Sequence, residues 1–332
     1  MGKLEKIKMK NTCWKGKNVF ITGASGLVGS WLTQQLVDYG ANVVCLIRDI
    51  TPKSWLYLSK TIDKVTTVYG RLENLSVLGR ALAEYSIDTV FHLGAQTIVG
   101  TAKSCPVSTF ETNIKGTWNV LEACRNAKDV KRIVVASSDK AYGENRNLPY
   151  TEKMPLQGIY PYDCSKSCAD LIAQMYHRTY KSPVGIARCG NFFGGGDLNF
   201  SRIVPGTILS AIKNENPVIR SDGSYVRDYI YVKDAVDAYL SLAEKLDNLK
   251  IQGEAFNFSN ECHYTVLELV ALILKLMKRK DLKPAILNEV SGEIKEQYLS
   301  TKKAHSLLGW KAKYDVEKGL LQTIDWYKAY FK

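Results

Sequence analysis

The sequence predicts an α/β chain: a doubly wound parallel sheet joined to a smaller, less regular α/β lobe. Three observations lead there. Short β-rich runs alternate with helical stretches through the first half of the chain. Those runs are continuously apolar, as strands covered on both faces must be. A glycine-rich loop lies directly between the first run and the first helix.

Taken in order, Val19–Thr22 reads as the first strand and Leu27–Tyr39 as a helix with apolar residues at helical spacing. Val43–Ile47, Val65–Tyr69, Thr89–His92 and Arg132–Ala136 follow as strands. Stretches around Leu75–Glu84 and Phe110–Asn126 read as helices between them. A helix over Tyr160–Tyr180 leads into a strand at Val184–Ala187. After Gly190 the pattern loosens. Glycines cluster at 194–196, Ser221–Ser224 reads as a turn, and helices return at Val204–Lys213, Lys233–Lys245, Val266–Arg279 and near the end. This divides the chain into a sheet domain, 11–190, and a second lobe, 191–332, with the chain expected to cross between them.

Composition narrows the function classes. With 332 residues, 45% hydrophobic and 23% charged, the chain is neither collagen-like, coiled-coil nor disordered. No apolar run reaches the roughly 18 residues of a membrane span. The stretch Met1–Lys17 is basic without an apolar core, unlike a secretory signal. The eight cysteines form no CxxC and no zinc spacing, which suits reduced thiols in a cytoplasm and no metal site. His92 reads as a core residue, and His177, His263 and His305 have no partners at metal spacing. The net charge of +12 raises nucleic acid, a membrane surface or an anionic small molecule as partners. No aromatic-interleaved basic motif or helix-turn-helix pattern supports nucleic acid. Much of the charge sits at Lys3–Lys17, Lys275–Lys283 and Lys302–Lys318, and so reads as solvated surface.

The loop Gly23-Ala-Ser-Gly26-Leu-Val-Gly29 carries the first functional signal. Glycines allow a tight turn and close approach of backbone to a pyrophosphate. The helix N-terminus then offers N–H groups and partial positive charge. The second strand runs into Arg48-Asp49. A carboxylate there suits the ribose hydroxyls of NAD, and an arginine suits the 2′-phosphate of NADP, so both cofactors stay open.

Two further constellations carry chemistry. Tyr162 and Lys166 are four apart, which puts a phenol and an amine on one helix face. A nearby ammonium lowers a phenol's pKa, so Tyr162 is expected to act as a base under the influence of Lys166. Ser137-Ser138-Asp139-Lys140 follows the strand Arg132–Ala136, and loops at the carboxyl ends of parallel strands bind ligands. A neighbouring acid and amine can hold separated pKa values and divide acid and base work.

These residues resemble the extended short-chain dehydrogenase/reductases that modify nucleotide sugars, a Rossmann-type fold. The resemblance covers nearly the whole chain from Trp14. It rests on the glycine loop, Phe91-His-Leu-Gly-Ala-Gln96, Thr112-Asn-Ile-Lys-Gly-Thr117, Ser138-Asp-Lys140, Pro161-Tyr-Asp-Cys-Ser-Lys166, Arg188-Cys-Gly-Asn191, Tyr225–Asp234 and Leu307-Leu-Gly-Trp310. Asp-Lys after the fifth strand resembles the 4,6-dehydratases, and CDP-glucose 4,6-dehydratases most, along with some UDP-GlcNAc enzymes. Trp14-Lys-Gly-Lys17, Gly29-Ser-Trp-Leu32 and Gly190–Gly196 point the same way. Two stretches depart from the pattern. Arg227-Asp228-Tyr229 stands where that subgroup has arginine followed by Pro-Trp. Gly70-Arg71-Leu72-Glu73 replaces Gly-Asp-Leu/Ile, whose Asp lies on the adenine.

The resemblance implies a cofactor, a substrate and roles. Gly23, Ser25, Gly26, Leu27, Gly29, Arg48, Asp49, Arg71, Leu72, Leu93, Gly94, Ala95, Gln96, Thr112, Tyr162 and Lys166 would hold NAD, or NADP. Gln96, Ser138, Asn191, Arg202 and Arg227 would hold a nucleoside-diphosphate sugar. Tyr162 would take the sugar O4 proton as hydride leaves C4. Lys140, if neutral, would then remove the C5 proton, Asp139, if protonated, would protonate the departing O6, and the hydride would return to C6. Ser138 would bond O4, and Lys166 would orient the ribose. A homodimer is implied, formed by the helices near 106–127 and 160–180, with Thr117, Trp118, Leu121, Leu171, Met175 and Tyr176 as apolar contacts. The competing activities are a nucleotide-sugar 4-epimerase, which does not need Asp139-Lys140, and a UDP-glucuronate decarboxylase. A non-catalytic cofactor sensor is the alternative from another class.

Overall fold

The computed structural model describes residues 12–289 and 294–332. The basic stretch up to residue 11 therefore lies outside the described residues. The strands of the first half are β1 (Asn18–Thr22), β2 (Asn42–Ile47), β3 (Thr66–Tyr69), β4 (Thr89–His92), β5 (Arg132–Ala136) and β6 (Val184–Cys189). The second half adds β7 (Asn191–Phe193), β8 (Val218–Ile219), β9 (Val226–Tyr231), β10 (Ala255–Phe258), β11 (His263–Thr265), β12 (Ala285–Ile286) and β13 (Glu296–Gln297). Among the described residues the central sheet has seven strands in the order β10-β6-β5-β4-β1-β2-β3, every pair parallel.

The continuous apolar character of these strands has a direct cause. Side chains alternate across a sheet, and both faces are covered here. Val19 and Ile21 of β1 enter one core layer, and Phe20 between them enters the other. Helices Leu27–Asp38 and Val232–Lys245 pack together on the first side. Helices Leu75–Glu84, Gly116–Asn126 and Pro161–Tyr180 cover the second.

The long helical stretch expected at Phe110–Asn126 is built in three parts. A short helix Pro106–Phe110 passes through a π-helical turn, Glu111–Lys115, into Gly116–Asn126. Such turns often mark functional places in a helix. Here the turn carries the buried Asn113. The helix expected over Val266–Arg279 stops at Leu276, because Lys278 adopts a left-handed conformation with φ 60°.

Residues beyond 190 also build the first sheet. β10 pairs with β6 at its edge, and Val232–Lys245 packs on β5 and β6. The second lobe is organised around β9, which pairs with β7 and β13 in parallel and with β11 antiparallel. Three of the tryptophans tie the parts together. Trp31 stacks on Trp55 with ring centroids 5.0 Å apart, Trp55 meets Trp326 edge-on, and the Trp31 Nε1 donates to the Gly195 carbonyl at 2.8 Å.

Three of the expected dimer contacts point elsewhere. Thr117 is buried, with its hydroxyl 3.0 Å from His92 Nε2. Leu121 is fully buried in the core, and Tyr176 packs inward with its hydroxyl on Glu122. These three serve the sheet layer. Trp118, Leu171 and Met175 are exposed. Among the described residues no helix is long and apolar enough to cross a membrane, and all eight cysteines are free thiols.

Candidate active site

The carboxyl ends of β1, β2, β4, β5 and β6 open onto one cleft of about 1350 Å³, closed on its far side by the second lobe. One end of it is made mostly of backbone. Gly23 has φ 76°, and a Cβ there would lie 2.7 Å from the Gly94 nitrogen. A Cβ on Gly29 would lie 2.0 Å from the Gly23 carbonyl oxygen. The helix begins at Leu27 with Gly26 as its N-cap, and no side chain caps it. Its first N–H groups are left for an anion in the cleft. Ser25, Gly26, Leu27, Leu93, Gly94, Ala95, Leu72 and Thr112 all line this end.

At the mouth, Arg48 Nε and Asp49 Oδ2 pair at 2.5 Å, both well exposed. Two expected cofactor residues do not line the cleft. Arg71 is exposed, and the wall is formed instead by Gly70, Leu72 and Glu73. Glu73 accepts a hydrogen bond from the Thr112 hydroxyl at 2.8 Å. The Gln96 side chain turns back on its own loop, bonding the Ile98 backbone through both amide atoms. Its backbone is clamped by Asn113, whose side chain accepts from the Gln96 N–H at 2.7 Å and donates to its carbonyl at 2.9 Å.

Mid-cleft, the turn after β5 and the start of helix Pro161–Tyr180 bring Ser138, Asp139, Lys140, Tyr162 and Lys166 to one wall. The Lys166 Nζ donates to the Ala136 carbonyl at 2.9 Å, and burial lowers its pKa to about 8. Burial and then the Asp139 carboxylate push the Tyr162 phenol upward, and Arg202 is a cation that counters them. Lys166, one helical turn on, is itself partly desolvated and bonded to a sheet carbonyl.

Asp139 is 2% exposed and burial raises its carboxyl, partly offset by the Lys140 ammonium. Its Oδ1 accepts from Ser138 Oγ at 2.9 Å, and its Oδ2 has no hydrogen-bond partner among the described residues. An unpaired buried carboxylate oxygen is costly, so the site favours the protonated acid.

A buried network supports this turn, and sequence reasoning missed it. Arg188 and Asp170, 2% and 0% exposed, form a bidentate pair at 2.8 Å. Ser137 Oγ donates to Asp170 at 2.6 Å, Arg188 reaches the Tyr142 hydroxyl at 2.9 Å, and that hydroxyl donates to Asn257. The available signal was Arg188 at the end of a strand, a charge where apolar residues belong.

The far end belongs to the second lobe. Asn191, Arg202 and Arg227 all line it. Arg202 is braced by Asp197 at 3.0 Å and by Thr97. Arg227 is 7% exposed and donates to the carbonyls of Val226, Ile294 and Lys295. Asn191 donates to the Asp228 carbonyl at 3.3 Å. His92 is a satisfied core residue between Thr22 and Thr117, with its pKa lowered to about 3 by burial. Among the described residues no cluster of three or more His, Cys, Asp or Glu could hold a metal.

The glycine cradle, with no room for a Cβ, fits a dinucleotide pyrophosphate, and the turn beside it presents a carboxyl and an amine. Fold and site together define an enzyme of the extended short-chain dehydrogenase/reductase class. The chain belongs to the GDP-mannose 4,6 dehydratase family, whose model matches residues 20–323. It is 31% identical to the CDP-glucose 4,6-dehydratase of Salmonella typhimurium, over 96% of this chain and 92% of that one. It is 29% identical to the dTDP-glucose 4,6-dehydratase of Haemophilus influenzae, over 93% and 97%. Among solved structures, the dTDP-glucose 4,6-dehydratase of Streptomyces venezuelae with NAD bound matches with a TM-score of 0.84 at 25% identity, covering 94% of this chain and 97% of that one. The UDP-glucose 4-epimerase of Thermotoga maritima matches with a TM-score of 0.87 at 26% identity, over 95% and 100%.

Proposed function

We propose that this chain is a nucleotide-sugar 4,6-dehydratase that converts a nucleoside-diphosphate hexose, CDP-glucose first among candidates, to the 4-keto-6-deoxy sugar. The observation that carries this is the Asp139-Lys140 turn, with Asp139 buried, lining the same cleft as Tyr162. An epimerase needs no such acid and base. NAD is the cofactor of this reading; the glycine cradle would hold it, and it would supply the acceptor and then the donor for hydride moving from sugar C4 to C6.

The side chains divide the proton work. Ser138 bonds the sugar O4, and Tyr162 takes its proton. The negative charge of an ionised Asp139 opposes that of a Tyr162 phenolate. Protonating Asp139 therefore does two things. It readies the acid for the O6 leaving group and removes a repulsion against the base. Lys140, as the neutral amine, takes the C5 proton that the 4-ketone acidifies. Lys166 orients the nicotinamide ribose. Arg202, Arg227 and Asn191 receive the nucleoside diphosphate, for which a guanidinium fork is suited.

The same reading treats 11–190 as the cofactor domain and 191–332 as the sugar-nucleotide lobe, with Val232–Lys245 and β10 crossing back to the cofactor domain. It places the enzyme in the cytoplasm as a homodimer, with Trp118, Leu171 and Met175 on the shared face. The test is incubation with NAD and CDP-, UDP-, dTDP- or GDP-hexoses, followed by mass spectrometry. Loss of one water from one of them supports the reading. An isomer of unchanged mass from every accepted sugar refutes it in favour of an epimerase.

A further inference from the structure

Gln297 lies in β13, fully buried and directly behind the cleft lining rather than in it. Its Nε2 donates to the backbone carbonyl of Asp139 at 2.9 Å, from 158 residues along the chain. In the strand register Gln297 sits opposite Arg227. The segment it belongs to touches the site repeatedly. Ile294 and Lys295 accept from the Arg227 guanidinium, the Leu299 N–H donates to Asp228 at 2.7 Å, and Tyr150 pairs with Tyr298 and Ser300. One short extended segment thus holds a cation of the substrate end and the turn that carries the acid.

From this we infer that Gln297 is a positioning residue for dehydration: its amide fixes the Asp139-Lys140 turn in register with Arg227. It touches neither sugar nor cofactor. The physical argument is one of tolerance. Asp139 must present an otherwise unpartnered Oδ2 to a departing oxygen, and its Oδ1 is held only by the neighbouring Ser138. A 3-10 turn of four residues, Asp139–Tyr142, is short, and the Gln297 bond restrains it from the opposite lobe. Displacement by about 1 Å at a reacting group costs on the order of 100-fold in rate. The inference rests on the dehydratase reading, because only elimination uses the Asp139 proton.

The test compares Gln297→Met and Gln297→Glu with the wild-type chain, all with NAD and the accepted sugar. Two quantities are read: product formation, and reduced nicotinamide present during turnover, from its near-ultraviolet absorbance. Gln297→Met should lower kcat by roughly 10- to 100-fold with little change in KM. Reduced nicotinamide should accumulate, because oxidation at C4 outruns elimination. Gln297→Glu keeps the shape, and its protonated form can donate to the Asp139 carbonyl. Its defect should therefore shrink as pH falls, while that of Gln297→Met does not. Unchanged kcat, or equal loss of oxidation and elimination at every pH, would overturn the role. If the Met variant does not fold, the pH dependence of the Glu variant decides alone. A wild-type chain that oxidises no sugar would sink the dehydratase reading itself, a separate result.

Discussion

The two ends of the cleft are built in opposite ways. The glycine cradle, residues 23–29, is backbone packed on backbone, and its tightest clash distances are to Gly23 itself and to Gly94 just beyond the end of β4. The acid–base turn, residues 137–142, is held by side chains from distant segments: Asp170, Arg188, Asn257 and Gln297. The first end can be changed only by filling space. The second can be changed through groups that touch no ligand. The lesson is that binding and chemistry in this cleft have separable structural supports.

The hardest break should come at the cradle. In Gly29→Val the new side chain starts 2.0 Å from a carbonyl oxygen, so the turn must open. NAD binding by calorimetry should be lost, whereas changes at the acid–base turn should leave it within a few-fold. Next is Asp139→Asn. Removing a general acid typically costs about 10²- to 10⁴-fold. Dehydration should fall in that range while reduced nicotinamide still forms on adding sugar, and loss of both together would contradict the assigned role.

Arg188→Met tests the turn's support rather than its chemistry. Leaving Asp170 buried without its partner should cost about 3–5 kcal/mol, read as a drop in thermal midpoint on the order of 10 °C. A smaller effect is expected at Asp228, whose carboxyl burial pushes up to about 7 from an ordinary 3.8. The folded chain holds that proton where the unfolded chain has lost it. This contribution to stability is present below about pH 3.8 and lost as pH rises through 7. Asp228→Asn removes the dependence, so its midpoint relative to wild type should rise by a few degrees between about pH 5 and pH 8. Smallest of all, Asp49→Ala should shift the NAD-to-NADP affinity ratio toward NADP by about 10-fold, with Arg48 left in place.

The same contrast explains what the sequence revealed. The glycine loop and the strand and helix that flank it were legible because spacing within seven residues encodes a turn. Asp139, Lys140, Tyr162 and Lys166 were legible as types at known offsets, and the structure brings them to one cleft. Their electrostatics were not. The Tyr162 phenol is governed by burial and by Asp139, and neither follows from a four-residue spacing. Arg71 and Gln96 stand off the cleft lining, because a motif position says nothing about which way a side chain turns; the Gln96 amide bonds Ile98 instead. Gln297 had no local signal at all: its meaning depends on a contact 158 residues away. The edge strand Ala255–Phe258 was hidden for the same reason, since its partner is β6.

The central claim is that hydride removed from one carbon of the sugar returns to another after water leaves. Turnover of the accepted nucleotide sugar carrying deuterium at C4 tests it most directly. The expected product is a 4-keto-6-deoxy sugar, lighter by one water, with the deuterium at C6. Deuterium retained at C4 in an epimer of unchanged mass would contradict the account.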